Sequence, residues 1–233
     1  AALSHAHALL VAEARALVEA AARLEERPKA FENAVRTVVT CIAGGGKLVW
    51  TGVGKSGLIA RKLHATSLSL GLSSAYLCPV SALHGDLGAL SGTWPLAPRA
   101  PLLRARAAEY RAPPAPAPDV LCALSHSGES AELLRLLPHA QARGCPILAF
   151  TARKDSSLGR AAAAKGAWVD CRTATPIDVS PQALTPADAL VPAPTSSTTV
   201  ALAMGDALVL SVARACGLGV QSFKQNHPGG SLG

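Results

Sequence analysis

Five short apolar runs punctuate this chain: Lys47–Thr51, Ala75–Cys78, Val120–Leu124, Ile147–Thr151 and Ala167–Cys171. Each has four or five residues, too few for a stable helix and enough for a strand buried on both faces. Between them, apolar positions recur at helical spacing over Ser56–Leu70, Ser130–Arg143, Ser156–Lys165 and Ser197–Cys216. Strands alternating with helices predict an α/β domain. The expected architecture is a doubly wound, five-stranded parallel sheet with helices on both faces, flavodoxin-like in plan.

Two further helices precede the sheet. Residues 3 to 26 are Ala-rich, with Leu3, Leu10, Leu17 and Leu24 at heptad spacing, a seam suited to packing against another helix across an oligomer contact. Pro28 opens a helix from Lys29 to Ala43, and Gly44-Gly45-Gly46 ends it. The chain thus divides into an N-terminal helix, 1–27, and a main domain, 28–233. Residues 91 to 118 break the pattern with seven prolines, four arginines and one acid, Glu109, and read as an exposed insertion. A basic partner-binding arm is the sharper reading of that segment, and a tolerated insertion the plainer one.

Composition narrows the picture. With 49% hydrophobic but only 3% aromatic residues, the core must come from Ala, Val, Leu and Ile. No uninterrupted apolar run approaches the roughly 20 residues of a membrane span, and no secretory signal pattern opens the sequence. The six cysteines are scattered without a CxxC pair, which suits a reduced, cytoplasmic protein. A net charge of +7 favours anionic partners. The charge is dispersed and base-stacking aromatics are few, so a small anionic substrate is expected and nucleic acid is not.

Chemistry concentrates in two turns that follow strands. Ser125-His126-Ser127-Gly128-Glu129-Ser130 places three hydroxyls and a carboxylate at a helix start, where backbone N–H groups and the helix dipole suit a phosphate. Glu129 reads either as a base beside that phosphate or as a cap on the helix that follows it. Thr51-Gly52-Val53-Gly54-Lys55-Ser56-Gly57 approaches a nucleotide-binding loop, but that pattern needs glycine where Val49 stands. The two turns, after the first and third strands, would flank one crevice of the sheet.

With His84-Gly85-Asp86-Leu87-Gly88, Ala193 to Thr199, Met204-Gly205-Asp206-Ala207-Leu208 and His227-Pro228-Gly229-Gly230, these turns closely resemble the sugar isomerase (SIS) domain of arabinose-5-phosphate isomerases. The likeness runs from about residue 28 to the end, apart from the insertion. It implies an SIS-like fold and interconversion of D-arabinose 5-phosphate and D-ribulose 5-phosphate through an enediolate, with no nucleotide or redox cofactor. It also implies a homo-oligomer, a dimer or tetramer, with active sites between subunits. Ser56, Ser125, Ser127 and Ser130 would hold phosphate, with Gly54 and His126 beside them. The loop of Thr195, Ser196, Ser197 and Thr198 would close on the sugar, and His84 would touch it. Lys55 would stabilise negative charge, while Glu129 and His227 match acid–base positions.

The sequence departs from the family pattern in two places. A second family glutamate is expected near Pro186, where Asp188 is the nearest acid, so a catalytically silent sugar-phosphate sensor is the alternative to an active enzyme. The family histidine six residues before His84 is Cys78; these two make an incomplete zinc pair, and a buried thiol is expected instead. An isomerase of another sugar phosphate is the third reading. The regulatory CBS domains that often follow an SIS domain are not in these 233 residues, which suits a single-domain form or a fragment.

Overall fold

The computed structural model describes residues 2–92, 117–173 and 193–229. Helices α1 (Ala2–Glu26) and α2 (Pro28–Ala43) lead into β1 (Leu48–Gly52), α3 (Gly54–Ser69), β2 (Ser74–Tyr76) and a single turn, α4 (Pro79–Ala82). A 3₁₀ turn over Asp86–Ala89 follows. Then come β3 (Val120–Leu124), α5 (Ala131–Ala142), β4 (Ile147–Thr151), α6 (Ser157–Ala162) and β5 (Ala167–Asp170). The described chain ends with α7 (Ser196–Ala215) and α8 (Val220–Gln225).

The sheet is parallel throughout, in the order β2-β1-β3-β4-β5. Chain direction across the sheet reverses between β1 and β3, whose ends meet where Gly52 pairs with Leu124. That reversal is the switch point at which ligands bind in open α/β sheets. Period-two alternation assigns the strand residues to two cores. Leu48, Trp50, Cys122, Leu124, Phe150 and Val169 face α1, α2, α3 and α7. Val49, Leu121, Ala123, Ile147 and Ala149 face α4, α5 and α6. Trp50 and Phe150 anchor the first core with ring centroids 5.6 Å apart, and the indole N–H reaches Ser67 Oγ at 3.3 Å. Each fully buried large side chain contributes roughly 1.5–3 kcal/mol.

The opposite pole of the sheet is closed by a buried carboxylate. Asp119, 1% exposed, accepts from the Lys47 backbone N–H at 3.0 Å, the Lys47 ammonium at 2.6 Å and the Ser91 N–H at 2.7 Å. The Asp119 N–H returns to the Ser91 carbonyl at 2.9 Å. Residues 93–116, the body of the predicted insertion, lie outside the described residues.

Sequence and structure differ in instructive places. The run Ala75–Cys78 is cut to a strand ending at Tyr76, because Cys78 is followed by Pro79, which has no N–H to donate. The heptad leucines do not share one seam. Leu17 and Leu24 pack on the core, whereas Leu3 and Leu10 are 85% and 69% exposed. Leu10 and Leu17 differ by only about 20° around the helix, so the change follows position along α1, whose buried residues, Ala16 and Ala20, lie in its second half. Cys78 is half-buried rather than buried. Helix α7 has the length and apolarity of a membrane span, but half of it is buried in the first core.

Candidate active site

The site grows from three helix starts. Gly52 ends β1 and Gly57 lies in the first turn of α3; a β-carbon on Gly57 would sit 2.8 Å from the Gly52 carbonyl oxygen. Their bare backbones let α3 begin against the strand end, at Gly54 rather than Ser56. That placement presents Lys55 and Ser56 above β1.

Beyond β3, Ser125 continues the strand by donating its N–H to the Phe150 carbonyl at 3.0 Å. Its hydroxyl accepts from the Gly128 N–H at 3.1 Å and lies 2.9 Å from Ser130 Oγ. Ser127 Oγ accepts from the Glu129 N–H at 3.2 Å. Gly128 holds a left-handed φ of +70°, and a β-carbon there would collide with Ser156 Oγ. Glycine alone fits that turn.

Thr195 starts α7, and the Thr198 hydroxyl donates back to the Thr195 carbonyl at 2.7 Å. The expected helix from Ser197 thus begins one residue earlier, and Thr195 to Thr198, expected as a closing loop, are its cap and first turn. The neighbouring Thr199 hydroxyl donates to Glu13 on α1 at 3.1 Å.

The starts of α3 and α7, with the Ser125–His126 end of the turn after β3, surround a cavity of about 260 Å³. Its polar wall is Lys55, Ser56, Ser125, His126, Ser197 and Thr198, and its apolar floor includes Ile59, Phe150, Cys171 and Ala201. Helices α3, α5 and α7 all lack a side-chain cap at this end. Ser130, at the cap position of α5, shares its hydroxyl with Ser125 instead. Uncapped N–H groups, aligned dipoles, four hydroxyls and one ammonium make the cavity suited to an oxyanion. A larger cavity of about 410 Å³ lies where Arg23 and Phe31 face Trp168. It shares no residue with the convergent helix starts and holds no comparable set of hydroxyls.

Six of the expected residues thus meet in one cavity. Gly54, with φ of +57°, Ser127, Thr195 and Ser196 adjoin it in sequence, and Ser130 is joined to it through the Ser125 hydroxyl. Glu129, His84 and His227 do not line it. The Glu129 carboxylate accepts the Ser157 N–H at 2.8 Å, at the start of α6. That bond, followed by the charges of Arg160 and Arg153, holds the carboxyl below its ordinary range. His84 is exposed on the turn after α4. His227 follows α8, where its ring stacks on Phe223 at 4.0 Å and its Nδ1 donates to the Phe223 carbonyl at 2.7 Å. Among the described residues no cluster of three metal-ligating side chains occurs, so Cys78 and His84 gain no third ligand. Asp188 lies outside the described residues. The apolar floor was not expected; Phe150 and Cys171 stand at strand ends, but no polar chemistry marks them in the sequence.

Two SIS domain family models match the chain, over residues 11–152 and 105–211. An uncharacterised protein of Helicobacter pylori is 34% identical over 221 residues, 95% of this chain and 55% of its own length. Arabinose 5-phosphate isomerase KdsD of Salmonella typhi is 37% identical over 188 residues, 81% of this chain and 46% of its own length. The chain therefore spans about half the length of these relatives. Among solved structures, E. coli CFT073 c3406 in complex with arabinose 5-phosphate superposes with a TM-score of 0.72 at 28% identity, covering 97% of both chains. The parallel sheet, the two turns at its switch point and the matches across most of the sequence place this chain in the SIS domain family.

Proposed function

We propose that this chain is a phosphosugar isomerase that interconverts D-arabinose 5-phosphate and D-ribulose 5-phosphate. One observation carries the reading: Lys55 and the hydroxyls of Ser56, Ser125, Ser197 and Thr198 line one cavity between the starts of α3 and α7 and the turn after β3. The similarity to the Salmonella isomerase, and to a structure holding arabinose 5-phosphate, supports this substrate class. The hydroxyls and N–H groups would hold the phosphate and sugar oxygens. Aldose–ketose isomerisation moves a proton from C2 to C1 through an enediolate. The Lys55 ammonium would stabilise that negative charge in a cavity sheltered by Ile59, Phe150 and Ala201.

Proton transfer needs a group that this cavity does not gain from Glu129 or His227 of the same protomer. We assign it to His227 of a second copy. Its Nδ1 carries the proton given to Phe223, so Nε2 is left to act as base. The exposed face of α1, with Leu3, Leu10, Val11 and Val18, supplies an apolar surface for self-association.

The second reading, a sensor that binds sugar phosphate without turnover, is favoured by the placement of Glu129 outside the cavity. The pure protein incubated with arabinose 5-phosphate should form ribulose 5-phosphate, and Lys55→Ala should reduce the rate at least about 100-fold. Thermal stabilisation by the sugar phosphate without any turnover would replace the enzyme reading with the sensor. Turnover of a different sugar phosphate alone would keep the isomerase and change its substrate.

A further inference from the structure

We infer that Glu129 is a positioning residue, whose carboxylate straps the phosphate turn to the start of α6, and not a proton-transfer group. The inference rests on the sugar-phosphate reading of the cavity. Glu129 is bonded at both ends: its backbone N–H donates to Ser127 Oγ at 3.2 Å, and its carboxylate accepts from the Ser157 N–H at 2.8 Å. The turn is tied to the same segment elsewhere. The His126 carbonyl accepts from the Ala152 N–H and from Thr151 Oγ1, each at 3.0 Å. The Gly128 carbonyl accepts from the Leu158 N–H at 3.1 Å.

Those backbone ties hold positions 126 and 128 whatever residue stands at 129. The Glu129 side chain adds the last strap, on the half of the turn that leads to the Ser130 hydroxyl. A carboxylate pointing into an oxyanion cavity would repel its ligand. Here it faces an N–H at a helix start, with Arg153 and Arg160 on that side. The acid in this turn thus stays clear of the phosphate while ordering the groups that bind it.

Two substitutions remove the strap from opposite ends. Glu129→Ala deletes the acceptor. Ser157→Pro deletes the donor N–H at the first position of α6, where proline is well tolerated. Ser156, the residue before it, already has φ −66° and ψ 166°, the extended geometry that proline requires of its predecessor. Glu129→Gln keeps an amide oxygen that can accept the same N–H.

The experiment is steady-state kinetics with arabinose 5-phosphate, beside calorimetric titration with inorganic phosphate, on the wild type and these variants. Glu129→Ala and Ser157→Pro should each raise KM and the phosphate Kd about three- to tenfold, with kcat changed less than about twofold. The double variant should be no worse than either single one, and Glu129→Gln should restore near wild-type values. A roughly 100-fold loss of kcat in Glu129→Gln at unchanged KM would make Glu129 an acid–base group and overturn the inference. Wild-type constants in Glu129→Ala would overturn it as well. Absence of turnover in the wild type sinks the isomerase reading alone, because the phosphate titrations still test the strap. If the wild type does not bind phosphate, both fall.

Discussion

Asn226 donates its side-chain N–H to the Ser69 carbonyl at 3.4 Å, at the last residue of the helix whose first turn carries Lys55 and Ser56. The next residue is His227. From Ser56 to Ser69 a helix advances about 20 Å, so His227 stands at the far end of α3 from the cavity of its own protomer. An acid–base role for His227 therefore requires a second copy of the chain, its α3 antiparallel to the first in a two-fold dimer. Lys55→Ala and His227→Ala variants should each be nearly inactive alone. Refolded together, they should regain up to about a quarter of wild-type activity, since a mixed dimer holds one site with both residues intact. A mixture no more active than its parents would remove His227 from the partner's site.

The strap at Glu129 should leave a mark in acid. Its carboxyl sits below the ordinary value of 4.5, first because of the Ser157 N–H and then because of Arg160 and Arg153. A depressed native pKa gives an interaction that is complete above the unfolded value and lost as pH falls through the native one. Below about pH 4.5 the wild type should therefore lose anion affinity relative to Glu129→Gln, a comparison in which any change at His126 on the cavity wall cancels. Sulfate is the better probe, because phosphate itself titrates near pH 6. Glu129→Gln should lack the acid step. If both proteins weaken together, another group is responsible.

Much of this arrangement was legible in the sequence, and the parts that were not have physical reasons. All five strands lie within a residue or two of their apolar runs; β1, β3 and β4 are buried on both faces, which leaves little room for polar interruptions, while β2 and β5 are the half-buried edges. The pairing of the Gly52–Gly57 and Ser125–Ser130 turns followed from their places after β1 and β3. What the residues could not disclose was direction. Glu129 in a serine-rich turn reads as a base or as a cap on the helix that follows, and neither is what forms: the carboxylate meets the start of a later helix at Ser157, 28 residues on. His227 carries a family motif, but its distance from Lys55 depends on how α8 returns to the end of α3. The four heptad leucines share a spacing and not an environment, since Ala16 and Ala20 are the buried face of α1.

Thiol chemistry should separate Cys78 from the four buried cysteines, Cys41, Cys122, Cys145 and Cys171; Cys216 is half-buried like Cys78, so labelling is followed in a Cys216→Ser background. The Ser81 backbone N–H, and next its hydroxyl, lower the pKa of Cys78, which is half-buried. Burial pushes Cys41 up to about 11 and Cys145 up to about 12, and raises Cys122 and Cys171 as well. Reactivity follows the thiolate fraction and access. At about pH 8 a disulfide reagent should label Cys78 first in the native protein, and the four buried thiols only on unfolding. Cys78→Ser should abolish the fastest phase; its persistence would reassign the reactive thiol.

The buried Asp119 makes the most direct stability test. Its carboxylate satisfies the Lys47 and Ser91 backbone N–H groups as well as the Lys47 ammonium. Asp119→Ala would leave two part-buried N–H donors without their acceptor, while the Lys47 ammonium, with 25% of its side chain exposed, can turn to water. The expected loss is about 3 kcal/mol in urea unfolding. Asp119→Asn keeps a carbonyl acceptor and should lose less, about 1–2 kcal/mol. The same clasp joins the two sides of the Pro/Arg-rich segment at the amino end of β3, about 16 Å along that strand from the cavity at its carboxyl end. With Ser91 and Asp119 already hydrogen-bonded, a short Gly-Ser link from Gly92 to Ala117 can close the chain. That excision should leave the arabinose 5-phosphate KM and kcat within about twofold, provided Asp119 is intact. A loss of turnover in a folded excision variant would show that the segment serves the site.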